Sequence, residues 1–413
     1  MPLIRPFPGL RPVATQVAQV IAPPYDVLST EEARARVAGK PWSFLHISKP
    51  EIDLPPDTDP YSSAVYVKGS ENFERMRSEG VLRRDPHACY YLYRLAMGTH
   101  TQIGIVAVAS VAEYERNRIR KHEFTRPDKE DDRVRQIDAL NAQTGPVFLT
   151  YRHSDVIDTL SAELAAGEPD ADVTADDGVR HTLWVMRDNE RIATVTRAFD
   201  AMNFLYIADG HHRSAAAARV AATRRDANSK HTGEESYNYF LAAIFPDNQM
   251  QIMDYNRVVK DLNNLTREQF TAKVGAAFMM KPEAAAVRPA QAGEFGMYMQ
   301  GQWYRLAIQP ARIPANDPVR HLDVSLLQDH LLAPILGVGD PRRDKRIGFV
   351  GGIRGLKELE RRVDSGEMAV AFALYPTSIH GMMSVADANR VMPPKSTWFE
   401  PKLADGLVSH LLD

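Results

Sequence analysis

Residues 203–225, NFLYIADGHHRSAAAARVAATRR, constrain this chain more than any other stretch. An apolar run over 204–208 stops abruptly at Asp209-Gly210-His211-His212-Arg213, and alanine-rich sequence of high helix propensity follows. That order predicts a strand, a tight turn and a helix N-terminus. The first N–H groups of a helix lack intrahelical partners and sit at the positive end of its dipole, so an anion is stabilised there before any side chain acts. His211, His212 and Arg213 add donors suited to phosphate around Gly210, and Asp209 at the strand end can bind a metal or accept a proton. A turn needs none of these four ionisable side chains; their density around one glycine marks a site.

With 413 residues the chain has room for two or three domains, and 44% hydrophobic with 25% charged residues places it among ordinary globular proteins. Lys plus Arg (50) nearly balances Asp plus Glu (53), so no basic field recommends nucleic acid as a partner. The single cysteine, Cys89, excludes an internal disulfide framework and a multi-cysteine zinc site. Prolines and arginines interrupt the first 26 residues, which lack the apolar core of a secretory signal, and the apolar segments at 103–112 and 368–375 are too short to span a bilayer. A cytoplasmic protein with no membrane partner is predicted.

Other candidates lie on loops. Pro23-Pro24 delivers Tyr25 and Asp26 just before a helix that Ser29 or Thr30 can cap, and both are candidate substrate contacts. A charged block at 113–135 holds His122-Glu123, with Arg126, Lys129 and Arg133 close behind. It reads either as a solvated helix or as a catalytic pair with a phosphate-neutralising rim. A strand running into glycines at 345–355 makes Lys345, Arg346 and Arg354 anion-binding candidates, although the same glycines serve tight packing equally well. The proline-rich loop 392–402 presents Lys395, Ser396 and Thr397 as donors, with Trp398 and Phe399 packing it back over a neighbouring site. A strand at 42–47, a helix at 61–80, a hairpin at 90–112, a surface loop at 163–179 and a helix at 324–336 complete the expected pattern.

No phosphate-binding P-loop, protein-kinase loop set, zincin helix or serine-hydrolase elbow is present. The stretches IADGHHR at 207–213, PPYDV at 23–27, DYNRVVKDL at 254–262, DKRIGFVGGIRGL at 344–356 and MPPKSTWFEPKL at 392–403 strongly resemble the bacterial family catalogued as domain of unknown function 1015. The DGHHR turn is also similar to the phosphate-binding turn of the ParB/sulfiredoxin-like fold, in particular that of free serine kinases, which phosphorylate L-serine with a nucleotide. The resemblance implies an α+β (mixed α/β) fold: a ParB/sulfiredoxin-like core at 116–240, an N-terminal α/β segment at 1–115 and a C-terminal α/β domain at 241–413. It implies Glu123 as general base beside His122, and Asp209 as a second catalytic carboxylate or Mg²⁺ ligand. Gly210, His211, His212 and Arg213, with Arg126, would bind the phosphates of ATP or ADP. The expected partners are thus a nucleotide, L-serine or a similar metabolite, and a second copy of the chain in a homodimer. Two other readings stand beside the kinase: a ParB-like regulatory or DNA-associated module, and a phosphohydrolase acting at the same turn.

Overall fold

The computed structural model describes residues 2–413. Its chain forms two compact units: one runs to Met250 and takes back Pro401–Asp413, and the other is Gln251–Glu400. Both mix helix and sheet, as the sequence predicts. The expected boundaries at 115/116 and 240/241 fall inside the first unit, because strands from either side of both share one nine-stranded sheet.

That sheet runs in the order Ile119–Arg120, Leu205–Asp209, Val147–Tyr151, Tyr239–Pro246, His100–Ser110, Tyr90–Met97, Arg180–Met186, Ala171–Thr174, with Ile4–Arg5 also pairing His100–Ser110. Its two parallel contacts are Ile119–Arg120 with Leu205–Asp209, and Val147–Tyr151 with Tyr239–Pro246; the rest are antiparallel. Leu149, Leu205, Ile207 and Ile244 are fully buried in the main core. Each such side chain contributes about 1.5–3 kcal/mol relative to exposure.

Helix His211–Ala227 explains its own alanines. Ala217 and Ala221, four apart on one face, pack into the sheet core, while Ala216 and Val220 meet Ile137 and Leu412 on another. A helix buried on two sides needs small residues on both, so alanine here serves close approach as well as propensity. The second neighbour is helix Pro127–Leu140, which follows the His122-Glu123 loop.

Two local expectations are corrected. Residues 42–47 form no strand: helix Leu45–Ser48 buries Phe44, Leu45 and Ile47, a spacing that a short apolar run does not distinguish from strand. The stretch at 163–179 is no simple loop, since helix Asp155–Ala165 ends within it and strand Ala171–Thr174 forms a sheet edge.

The second unit carries a six-stranded antiparallel sheet in the order Phe278–Glu283, Gln302–Ile308, Glu294–Met299, Val370–Leu374, Tyr255–Val259, Ile347–Gly351. Helix Leu356–Asp364 follows its last edge strand and buries Leu359 and Val363. Among the described residues, no helix is long and apolar enough to cross a membrane.

Candidate functional site

Strands Ile119–Arg120 and Leu205–Asp209 are parallel neighbours, so the chain leaves both at the same end of the strands. His122-Glu123 follows the first and Gly210 the second; pairing therefore joins two motifs that are remote in sequence. Ligands of sheet proteins often lie outside the carboxyl ends of strands for this reason. Gly210 has φ +96°, in the left-handed region, and a Cβ there would stand 3.1 Å from Arg213 Nε. The helix that follows has no side-chain cap and no acidic residue in its first turn; the nearest carboxylate, Asp209, stands one residue ahead of its N-cap and accepts the Gly210 N–H.

The charges around this turn are unequal. Asp209 accepts the Gly210 N–H at 2.8 Å through Oδ1, and Oδ2 lies 3.2 Å from Lys402 Nζ. Burial acts to raise the Asp209 carboxyl, but Lys402 and Arg213 override it and hold the group far below the usual range. Its side chain nevertheless keeps 36% of its surface open. His211 is 4% exposed; Nε2 accepts the His122 backbone N–H at 3.4 Å, and Nδ1 stands 4.0 Å from Glu123 Oε2. Burial, reinforced by the His122 ring, pushes His211 well below an ordinary histidine. His122, 2% exposed, meets His211 edge to face with centroids 4.5 Å apart. Burial drives it down to about 4, against Asp209 and the Ile207 backbone, whose approach to the ring falls outside good hydrogen-bond geometry. His212 accepts the Arg126 backbone N–H at 3.0 Å and is also lowered by burial. Both buried imidazoles are neutral at neutral pH, so positive potential comes from Lys402, Arg213 and the helix dipole.

Arg213 turns inward and donates to the Pro146 carbonyl. With Tyr25, Arg133, Ser48, Gln143 and Asp405 it lines a cavity of about 40 Å³, room for roughly three waters. Arg133 grips Asp132 Oδ2 through two nitrogens at 3.0 and 2.6 Å, and its guanidinium lies 3.9 Å above the Tyr25 ring. Burial pushes the enclosed Asp405 carboxyl up to about 7, with Arg213 opposing and Asp26 reinforcing.

Glu123, Asp209, Gly210, His211 and His212 thus come together, with Tyr25 joined to them through Arg213. Asp26 is exposed beside Tyr25. Three expected roles change. His122 lies beneath the site, closed from solvent, where it cannot touch a substrate. The Arg126 side chain is exposed and paired with Asp128 at 2.7 Å, and only its backbone reaches His212. Lys129 donates to the Tyr61 hydroxyl at 2.7 Å.

Lys345, Arg346, Arg354, Lys395, Ser396 and Thr397 belong to the second unit. Arg346 is spent within it on Asp344, Asp261 and the carbonyls of Leu336 and Gly337. Ser396 is buried and donates to the Pro393 carbonyl at 2.6 Å, so its hydroxyl proton is not presented to a substrate. Lys345, Arg354 and Lys395 are exposed.

Lys402 and Asp405 were missed. Both arrive on the returning segment, where Asp405 pairs with Ala22 and His410 with Gln143. Lys402 lies within the MPPKSTWFEPKL stretch, but only the fold shows what it meets.

The family description "Protein of unknown function (DUF1015)" matches residues 4–325. No curated protein gives a significant sequence match. Among solved structures, a free serine kinase mutant in complex with AMP is similar at 10% identity and TM-score 0.37, covering 71% of this chain and 87% of that one. SbnI with a C-terminal truncation, from Staphylococcus aureus, is similar at 10% identity and TM-score 0.39, covering 73% and 85%. A conserved hypothetical protein from Pyrococcus furiosus gives 13% identity and TM-score 0.35, covering 73% and 93%.

Proposed function

The chain belongs to the DUF1015 family, and within it we propose that this protein is a small-molecule kinase, moving a phosphoryl group from ATP or ADP to the hydroxyl of free L-serine or a similar metabolite. One observation carries the reading: the half-exposed Glu123 carboxylate is held 4.0 Å from His211 Nδ1, in the first turn of a helix that has no side-chain cap. Phosphoryl transfer asks little covalent work of a protein; it needs positioning and neutralised charge. The first-turn amides after Gly210 would hold the donor phosphates, with Lys402 and the helix dipole offsetting their charge. Glu123 would take the acceptor's hydroxyl proton. Asp209, ionised and already paired with Lys402, would orient that hydroxyl rather than accept its proton.

The donor set at Asp209 suits Mg²⁺ only in part. It offers one carboxylate, already engaged by Gly210 and Lys402, and Mg²⁺ commonly completes such a site with phosphate oxygens and water. When bound, such an ion would neutralise charge on the transferred group.

The test incubates the purified chain with ATP or ADP, Mg²⁺ and L-serine and looks for phosphoserine. Product should form, and Glu123→Gln should slow turnover by about 10²–10⁴-fold with the fold intact. Unchanged turnover in that variant removes Glu123 from the mechanism. Donor hydrolysis independent of any acceptor, or tight DNA binding without turnover, would replace the kinase reading.

A further inference from the structure

His122 poses a problem that phosphate binding does not solve. Its ring is enclosed, yet neither Nδ1 nor Nε2 has a hydrogen-bond partner. Leaving a buried polar group unsatisfied costs about 1–3 kcal/mol, and folds retain such groups where they have another use. A neutral imidazole with a free lone pair is a metal ligand. Two more ligands stand beside it: one ligand atom each from His122, Glu123 and His211 all lie within 4.8 Å of one another.

We propose that His122, His211 and Glu123 form a binding site for a divalent transition-metal ion of the zinc class. Two imidazoles and one carboxylate suit zinc, cobalt, nickel or iron, whereas magnesium and calcium prefer all-oxygen shells. With bonds of about 2.0–2.2 Å, tetrahedral ligand atoms stand roughly 3.3 Å apart, so the triad must close by up to about 1.5 Å. The movable member is Glu123, half exposed on a loop, while both histidines are held by burial. Ligation through His211 Nδ1, the nitrogen 4.0 Å from Glu123, moves the ring proton to Nε2 and gives up only the 3.4 Å bond that Nε2 accepts from the His122 N–H. Three protein ligands leave at least one coordination position open.

This inference does not rest on the kinase reading, and the two compete for Glu123: a carboxylate bound to the ion is not free to act as the base. The experiment therefore reads metal rather than turnover. The tag-free full chain is stripped with chelator and titrated with Co²⁺ without nucleotide or acceptor, following visible d–d absorption and cobalt per chain. One equivalent should bind with a tetrahedral or five-coordinate spectrum. Glu123→Gln should weaken binding by at least about tenfold, a loss typical even of outer-shell partners. His211→Ala should abolish the spectrum, and His87→Ala, at an exposed histidine, should leave it unchanged. Absence of d–d absorption in the wild type, or equal binding by Glu123→Gln and wild type, overturns the proposal. Because Glu123 is half exposed, its variant is expected to fold, and circular dichroism checks this if His211→Ala does not. Cobalt binding without phosphoserine sinks the kinase alone; phosphoserine without cobalt binding sinks the metal site alone.

Discussion

Two glycine turns, Asp209-Gly210 in the first unit and Gly351-Gly352 in the second, look alike in sequence: each ends a strand near a helix among basic residues. They differ in what the glycines are for. At Gly210 the backbone takes a φ that side chains avoid, and the helix beyond has no acid in its first turn. At Gly351 and Gly352 the need is room: an added Cβ would stand 2.8 Å from Trp398 at the first and 2.3 Å from Asp254 at the second. The helix of that second turn, beginning after Gly355, carries Glu358 in its first turn, bonded to Arg361 and Arg362. Its dipole is already complemented from within the chain. One turn meets its helix dipole from the strand end, through Asp209; the other meets it from inside the helix, through Glu358.

Substitutions can break this contrast. Gly352→Ala should have the largest effect on stability, about 3 kcal/mol or more from overpacking against Asp254, while nucleotide binding by the first unit is retained; denaturant melts and equilibrium binding measure both. Gly210→Ala should do the reverse. Left-handed strain costs about 1–2 kcal/mol, and ATP or ADP affinity should fall about tenfold or more as the turn deforms. Equal nucleotide affinities for the two variants would erase the distinction drawn here. A smaller effect sharpens it by pH. Asp405, raised to about 7 by burial, binds its proton in the folded chain but not in the unfolded chain between roughly pH 4 and 7, so its contribution falls as pH rises through that window. Asp405→Asn lacks that loss. Its melting temperature relative to wild type should climb from pH 4.5 to pH 8 and then level off; a flat difference would show that Arg213 keeps the group ionised throughout.

How much was legible follows from the same contrast. The strand, turn and helix around Gly210 could be read because local residue order dictates them. That Glu123 faces His211 rests on parallel pairing of two strands, one only two residues long, and a pattern that short carries no periodicity to read. Arg346 and Ser396 look like free donors in sequence, since nothing local announces the carbonyls and carboxylates that accept their hydrogen bonds. The glycines at 351–352 were equally open to packing and to ligand, and only the positions of Trp398 and Asp254 decide between them.

Asp209 meets its counter-ion only after a long detour. The first unit's chain breaks off at Met250, about 150 residues of the second unit intervene, and Lys402 then returns. At ordinary translation speeds of about 5–20 residues per second, a ribosome spends roughly 8–30 s on that excursion. Through that interval neither the lysine that pairs with the Asp209 carboxylate nor the Asp405 bridge to Ala22 has yet been made. The site is therefore completed only by a segment made after the whole of the second unit.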